Sequence, residues 1–230
     1  MCGHSAYIGS HGSGSPNLPI YTVCSHFCYI KLINIIMLRE YKPFFMIDDS
    51  CKDGHVETIM DYVLSWCFRC TNYRYVKEHQ PILYRYCMYM LFKLLGKELD
   101  LNYTVVDRIS VKKQQQKIDL WVEVDLKRNN KIEEHAILIE NKYYSPIRDH
   151  QLETYKPIFD EFYADKPNVH LHYAAITCLY HEDTHYSAFA RKAKENGFKD
   201  YFIYDLFDES LNGQESESEI FNEFFIREWL

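Results

Sequence analysis

The sequence predicts an α/β fold, and three observations carry that reading. Lys117 to Leu126 alternates Ile118, Leu120, Val122 and Val124 with Asp119, Trp121, Glu123 and Asp125, the period-two pattern of a strand with one aliphatic row. Ala136 to Ile139 is an unbroken apolar run, as expected of a central strand covered on both faces, and it stops abruptly at Glu140-Asn141-Lys142. Arg148 to Ala164 then places Leu152, Tyr155, Ile158, Phe159 and Phe162 at helical spacing, so strand, strand and helix follow one another in a single unit.

The remaining elements follow from local signals. A helix is expected from Val56 to Cys70, after the turn-forming Asp53-Gly54. A second, Pro81 to Leu95, would end at Gly96, which supplies the left-handed residue beyond a helix C-terminus. Strands are expected at Thr104 to Ser110, Lys117 to Leu126 and Glu134 to Lys142, the last two joined by a hairpin turn at Arg128-Asn129-Asn130-Lys131. Pro157 is positioned to kink the Arg148 to Ala164 helix. His170 to Leu179 reads as a buried strand, Ser187 to Asn196 as a helix closed by Gly197, and Tyr201 to Leu206 as a further strand. After an acidic Ser/Glu linker, Ser218 to Leu230 sets Ile220, Phe221, Phe224, Phe225 and Trp229 on one side of an amphipathic helix.

A chain of 230 residues with 47% hydrophobic and 16% aromatic residues holds one sizeable core, which excludes a disordered protein. Residues 1 to 36 are expected to be an extension outside the fold, leaving residues 37–230 as a single domain. The first 19 positions are rich in Gly and Ser, and Ile20 to Leu38 is interrupted by His26, Lys31 and Asn34, short of what a membrane span requires. No basic segment with a cleavage site precedes it, so no membrane association and a cytoplasmic location are expected. The eight cysteines (2, 24, 28, 51, 67, 70, 87 and 178) then read as reduced thiols. Cys67-x2-Cys70 with His181-x3-His185 is an incomplete zinc pattern, ranked below simple core cysteines.

The net charge of −7 argues against a nucleic-acid partner until its distribution is considered. Nine acids against Arg227 lie in residues 200–230, and the rest of the chain is close to neutral. A basic loop (Lys112, Lys113, Lys117) and Lys127, Arg128 and Lys131 remain available to phosphates. The aromatics fall mostly at core spacing and are read as packing before base-stacking platforms.

The chemistry concentrates at Asp119, Glu140 and Lys142. Residues two apart on a strand share a face and lie ~6 to 7 Å apart, so Glu140 and Lys142 emerge side by side, and Asp119 faces the same edge if its strand is the neighbour. Two carboxylates converging at a sheet end require neutralisation. A hard divalent cation such as Mg²⁺ provides it through oxygen ligands and keeps several waters, one of which can become the attacking hydroxide in phosphodiester hydrolysis. Lys142 would stabilise the developing charge or orient the nucleophile. Taken singly, each residue has an ordinary reading: a surface ion pair for Glu-x-Lys, a turn cap for Asp119, a half-buried Tyr with a polar neighbour for Gln151 and Tyr155.

Together these residues resemble the PD-(D/E)XK nuclease superfamily, the restriction-endonuclease-like proteins, whose signature is an Asp followed by Asp/Glu-x-Lys on the next strand. Gln151 and Tyr155 resemble the Gln-x3-Tyr helix motif of some branches. The resemblance implies a mixed four- or five-stranded sheet flanked by helices, metal binding by Asp119 and Glu140, and a further ligand from the backbone carbonyl of Asn141. It also implies a helical Glu upstream. Glu57 to Trp66 keeps the Glu, Leu and Trp spacing of that stretch but carries Met60 and Asp61 where branches have His and Ser, and the signature proline is missing before Asp119. The resulting expectation is a nuclease using Mg²⁺, or Mn²⁺ in its place, with DNA as partner, Asp119, Glu140 and Lys142 as catalytic residues, and Gln151 and Tyr155 positioning substrate. The alternative is a nuclease-like scaffold that binds nucleic acid or protein without cleaving. Oligomeric state is not legible.

Overall fold

Five strands form one mixed sheet in the order β1-β2-β3-β4-β5: Thr104–Gln115, Ile118–Arg128, Lys131–Lys142, Val169–Thr177 and Lys199–Phe202. The first three pair antiparallel and the last three parallel. The computed structural model describes residues 56–227 apart from Tyr103. The expected N-terminal extension (residues 1–36), Asp53-Gly54, Cys51 and Trp229 lie outside the described residues, as do Cys2, Cys24 and Cys28.

Turn chemistry explains the antiparallel half. Asn129 and Asn130 both take positive φ (48° and 61°), the conformation a two-residue hairpin demands and Asn tolerates. Gln116 and Lys117 do the same (55° and 69°) between the paired Gln115 and Ile118. Neither residue type announces such a turn, and this corrects two sequence expectations. β1 does not end at Ser110 but runs on to Gln115, so of the expected basic loop Lys112 and Lys113 sit on β1 and only Lys117 lies in the turn. Lys112 pairs with Glu123 at 3.3 Å, and Lys113 lies 3.3 Å from the Tyr62 ring centroid.

Parallel strands require crossovers, supplied by helices α4 (Gln151–Phe162) between β3 and β4 and α5 (Thr184–Glu195) between β4 and β5. α4 continues through Pro157, one turn shorter at its start than expected. It packs on β2 through Trp121, whose ring meets Phe159 at 4.7 Å and Phe162 at 5.0 Å, while the indole N–H donates to the Tyr163 hydroxyl at 2.8 Å. The row opposite the aliphatic one is therefore also covered, and Trp121 is fully buried. α1 (Val56–Cys70) and α3 (Pro81–Leu94) lie where expected, with Gly96 at φ 64° beyond α3. A short helix, α2 (Arg74–His79), joins them and has no strong periodicity of its own. Ala136, Ile137, Leu138 and Ile139 are completely buried, worth ~1.5 to 3 kcal/mol for each large aliphatic side chain.

The C-terminal segment departs from its reading. β5 is only four residues, because Ile203–Leu206 turns into a 3-10 helix held by Asp205 accepting from the Phe202 amide at 2.9 Å. The expected amphipathic helix is α6 (Glu219–Phe221) continuing as a π-helical turn, Asn222–Ile226. Phe221, Phe224 and Phe225 are buried as expected, and Ile220 is exposed. The acidic segment is folded back rather than acting as a linker. Glu217 accepts from the Ile82 and Leu83 amides at the start of α3 (3.3 and 3.1 Å), and Asp208 pairs with Arg85 at 2.7 Å. Cys67, Cys70, Cys87 and Cys178 are buried thiols, while His181 turns to Asp205 at 3.1 Å. Among the described residues no helix is long and apolar enough to cross a membrane.

Candidate active site

The end of β3 delivers three consecutive polar side chains into the protein. Glu140 and Asn141 are fully buried and Lys142 is 5% exposed. Strand alternation sends Glu140 and Lys142 to the α4 face and Asn141 to the α1 face, so both helices reach the same end of the sheet. Lys142 Nζ lies 2.6 Å from Glu140 Oε1, 3.7 Å from Glu57 Oε2 and 4.0 Å from Asp119 Oδ2. Asp119 immediately precedes the first position at which β2 pairs with β3, Leu120 opposite Ile139, and accepts from the Asn141 backbone amide at 2.9 Å through Oδ2. The three residues of the sequence signature are thus gathered around one ammonium group.

Helix α1 adds two acids one turn apart. Glu57 accepts from the Tyr143 amide at 3.4 Å and from the Ser145 hydroxyl. Asp61, 4% exposed, accepts from Asn141 Nδ2 at 3.1 Å and from Gln114 Nε2 at 3.3 Å. Gln114 also donates to Asp119 Oδ1 at 3.0 Å, tying the helix acid to the strand acid, and its own backbone is held at φ 53°. Asp61 and Gln114 escaped sequence reasoning. Asp61 registers there only as a departure from a motif, although its i, i+4 spacing from Glu57 puts both on one face. Gln114 lies beyond the expected end of β1.

On the opposite face the Gln151 side chain, from the first residue of α4, donates through Nε2 to Glu140 Oε1 at 2.5 Å while its Oε1 accepts from the Arg148 amide at 3.2 Å. Tyr155, one turn further on, packs partly buried against the hydrophobic core. Glu123 and Asp125, the other acids of the β2 row, are engaged elsewhere: Glu123 accepts from Tyr163 at 2.8 Å, and Asp125 pairs with Arg108 at 2.7 Å.

The electrostatics follow from burial. Desolvation, then the nearby Asp119 charge, raise Glu140 to about 8, against the opposing pull of Lys142. Desolvation and Asp119 likewise raise Asp61 to about 7, although Asn141 and Gln114 stabilise its ionised form. Burial pulls Lys142 down, but Glu140, Asp119 and Glu57 outweigh it and keep its ammonium pKa above the ordinary value. Burial therefore holds both acids toward their neutral forms while Lys142 stays cationic.

Two buried oxygens in this cluster lack a hydrogen-bond partner: Glu140 Oε2 and Asn141 Oδ1. Unpaired acceptors flanked by carboxylates are the donor set a hard divalent cation takes. Among the described residues no three acidic, histidine or cysteine groups converge as a ligand cage; Glu140 Oε1 is held by Lys142 and Gln151, and Asp119 by Gln114 and Asn141.

A family model for the PD-(D/E)XK nuclease superfamily matches residues 54–230. No curated protein and no solved structure matches the chain.

Proposed function

The chain belongs to the PD-(D/E)XK nuclease superfamily, and from that premise we propose that it is a divalent-metal-dependent nuclease acting on DNA. The observation that carries the reading is the gathering of Asp119, Glu140 and Lys142 within one hydrogen-bonded cluster, with Glu140 Oε2 left without a protein donor. In this proposal Asp119 and Glu140 hold Mg²⁺, or Mn²⁺ in its place, with the Asn141 carbonyl and the acids of α1, Glu57 and Asp61, completing or backing the site. The cation would supply an activated water and screen the charge that builds on phosphorus.

The protein's own groups do the positioning. Gln151 and Gln114 fix the rotamers of Glu140 and Asp119, so that little reorganisation is left for the reaction itself. Lys142, already cationic and only 5% exposed, is placed to donate to a phosphate oxygen or the nucleophile in a site where water screens it poorly. Lys113, next to Gln114, sits against the exposed ring of Tyr62, next to Asp61, and together they supply a cation and an aromatic face for the strand being cut. Tyr155 is assigned a positioning role only through Gln151 and the motif they share.

The test is cleavage of supercoiled plasmid and single-stranded DNA by the full chain in Mg²⁺ or Mn²⁺ against chelator, beside Asp119→Ala and Lys142→Ala. Metal-dependent cleavage lost in both variants supports the proposal. Equal traces in all three proteins mark contamination, and DNA binding without metal-dependent cleavage returns the reading to a non-cleaving scaffold.

A further inference from the structure

Three imidazoles meet at the opposite end of the same strands. His135 on β3 is the register partner of His170 on β4, and His172 follows on the same face of β4. His135 Nδ1 lies 3.1 Å from His172 Nε2, and the His135 ring centroid is 5.1 Å from that of His170 and 5.3 Å from that of His172. His135 is buried, His172 half-buried and His170 exposed, so the cluster runs from the core to solvent. Behind it, His135 Nε2 faces Glu133 Oε2 at 3.5 Å without a hydrogen bond, and Glu133 is itself held by Lys97 at 2.7 Å. Glu140 lies five residues further along β3, ~16 Å away, so this cluster is separate from the carboxylate site.

Two nitrogens bound tetrahedrally to one zinc-class ion at 2.0 to 2.1 Å stand about 3.4 Å apart, and their ring centroids about 5 Å apart. The His135–His172 nitrogen separation and the two centroid distances from His135 are close to those values. The Glu133 carboxylate 3.5 Å from His135 Nε2 favours the proton on that nitrogen and leaves Nδ1, the nitrogen turned toward His172, as the ligating atom. We propose that His135, His170 and His172 form a binding site for a zinc-class divalent cation. His135 Nδ1 and His172 Nε2 are the preset pair. His170 completes the triad by turning its exposed ring inward, a movement needed because no three ligands converge as the side chains stand. Binding at His172 Nε2 requires its proton to move to His172 Nδ1, and the exposed side of the cluster leaves a fourth position for water or an external ligand.

The experiment is Co²⁺ titration of the full chain followed by its visible ligand-field bands, with competition by Zn²⁺, for wild type, His170→Asn, Glu133→Gln and Asp119→Asn. His170 is exposed, so its substitution tests ligation without breaking the core, and unchanged melting of the metal-free variant verifies this. The proposal expects a site without thiolate charge-transfer absorption that survives Asp119→Asn. It should weaken 10- to 100-fold in Glu133→Gln and at least as much in His170→Asn. It is overturned if no such bands appear, if they carry thiolate absorption, or if they vanish in Asp119→Asn and persist in His170→Asn.

Discussion

The backbone amide of Asn141 donates to Asp119 Oδ2 at 2.9 Å, so the residue between Glu140 and Lys142 is also what fastens the third signature side chain to them. Asp119→Asn keeps an acceptor for that amide and removes the charge. Cleavage is expected to fall by ~10²-fold or more, with melting stability changed by less than about 1 kcal/mol. Loss of fold along with loss of cleavage would show that Asp119 is a structural link first.

Lys142→Met leaves Glu140 buried without its cation. The folded-state pKa of Glu140 is already raised to about 8, and removing Lys142 raises it further, so at pH 6 the carboxyl stays protonated in the folded protein. The stability lost on substitution is therefore expected to be small at pH 6 and to grow toward pH 9, where ionising an unpaired buried acid costs several kcal/mol. Denaturant midpoints of wild type and variant across that range give the comparison, and a pH-independent difference would contradict it.

Metal linkage has a defined sign. Asp61 and Glu140 have raised pKa values, about 7 and about 8, so the unfolded chain ionises them first and their contribution to stability falls as pH rises from about 4 through 8. Mg²⁺ requires the ionised forms. Its stabilising effect is expected to increase from pH 6 to pH 8, reaching ~2.7 kcal/mol at a free concentration one hundred times Kd. Thermal melting with and without Mg²⁺ at the two pH values reads this directly, and Asp61→Asn should flatten the difference.

The acidic C-terminal segment has a role independent of the site. Glu217 receives the Ile82 and Leu83 amides at the N-terminus of α3, doing from a distance what a local cap does. Glu217→Ala is expected to cost ~1 kcal/mol of stability and to leave metal-dependent cleavage per folded molecule unchanged, measured by denaturant melts and cleavage rates on the same preparations.

The sheet's centre and the placing of Asp119, Glu140 and Lys142 were legible because period-two alternation and a buried apolar run fix which residues share a face and where a strand stops. Gln151 was singled out only by the resemblance to a Gln-x3-Tyr motif, and its contact with Glu140 was not legible, because the helix was expected to start a turn earlier, at Arg148. What was hidden depends on contacts made at a distance. The Gln116-Lys117 turn takes positive φ with residues that carry no turn signature, so β1 was read too short and Gln114 was missed. Asp61 is polar inside a helix and looks like an interruption until Asn141 is seen to meet it. The end of β5 is set by Asp205 accepting a backbone amide, which no hydrophobic pattern records, and the fold-back of the acidic segment rests on α3, more than one hundred residues earlier in the chain.

The most direct test is the rate of phosphodiester cleavage in an end-labelled DNA oligonucleotide as a function of Mg²⁺ concentration, for wild type and Glu140→Gln. Saturable, Mg²⁺-dependent cleavage by wild type, with Glu140→Gln folded and reduced by at least ~10²-fold at every concentration, is the expected result. Cleavage by wild type that ignores Mg²⁺, or a folded Glu140→Gln that cuts as fast as wild type, would contradict a metal centre built on Asp119, Glu140 and Lys142.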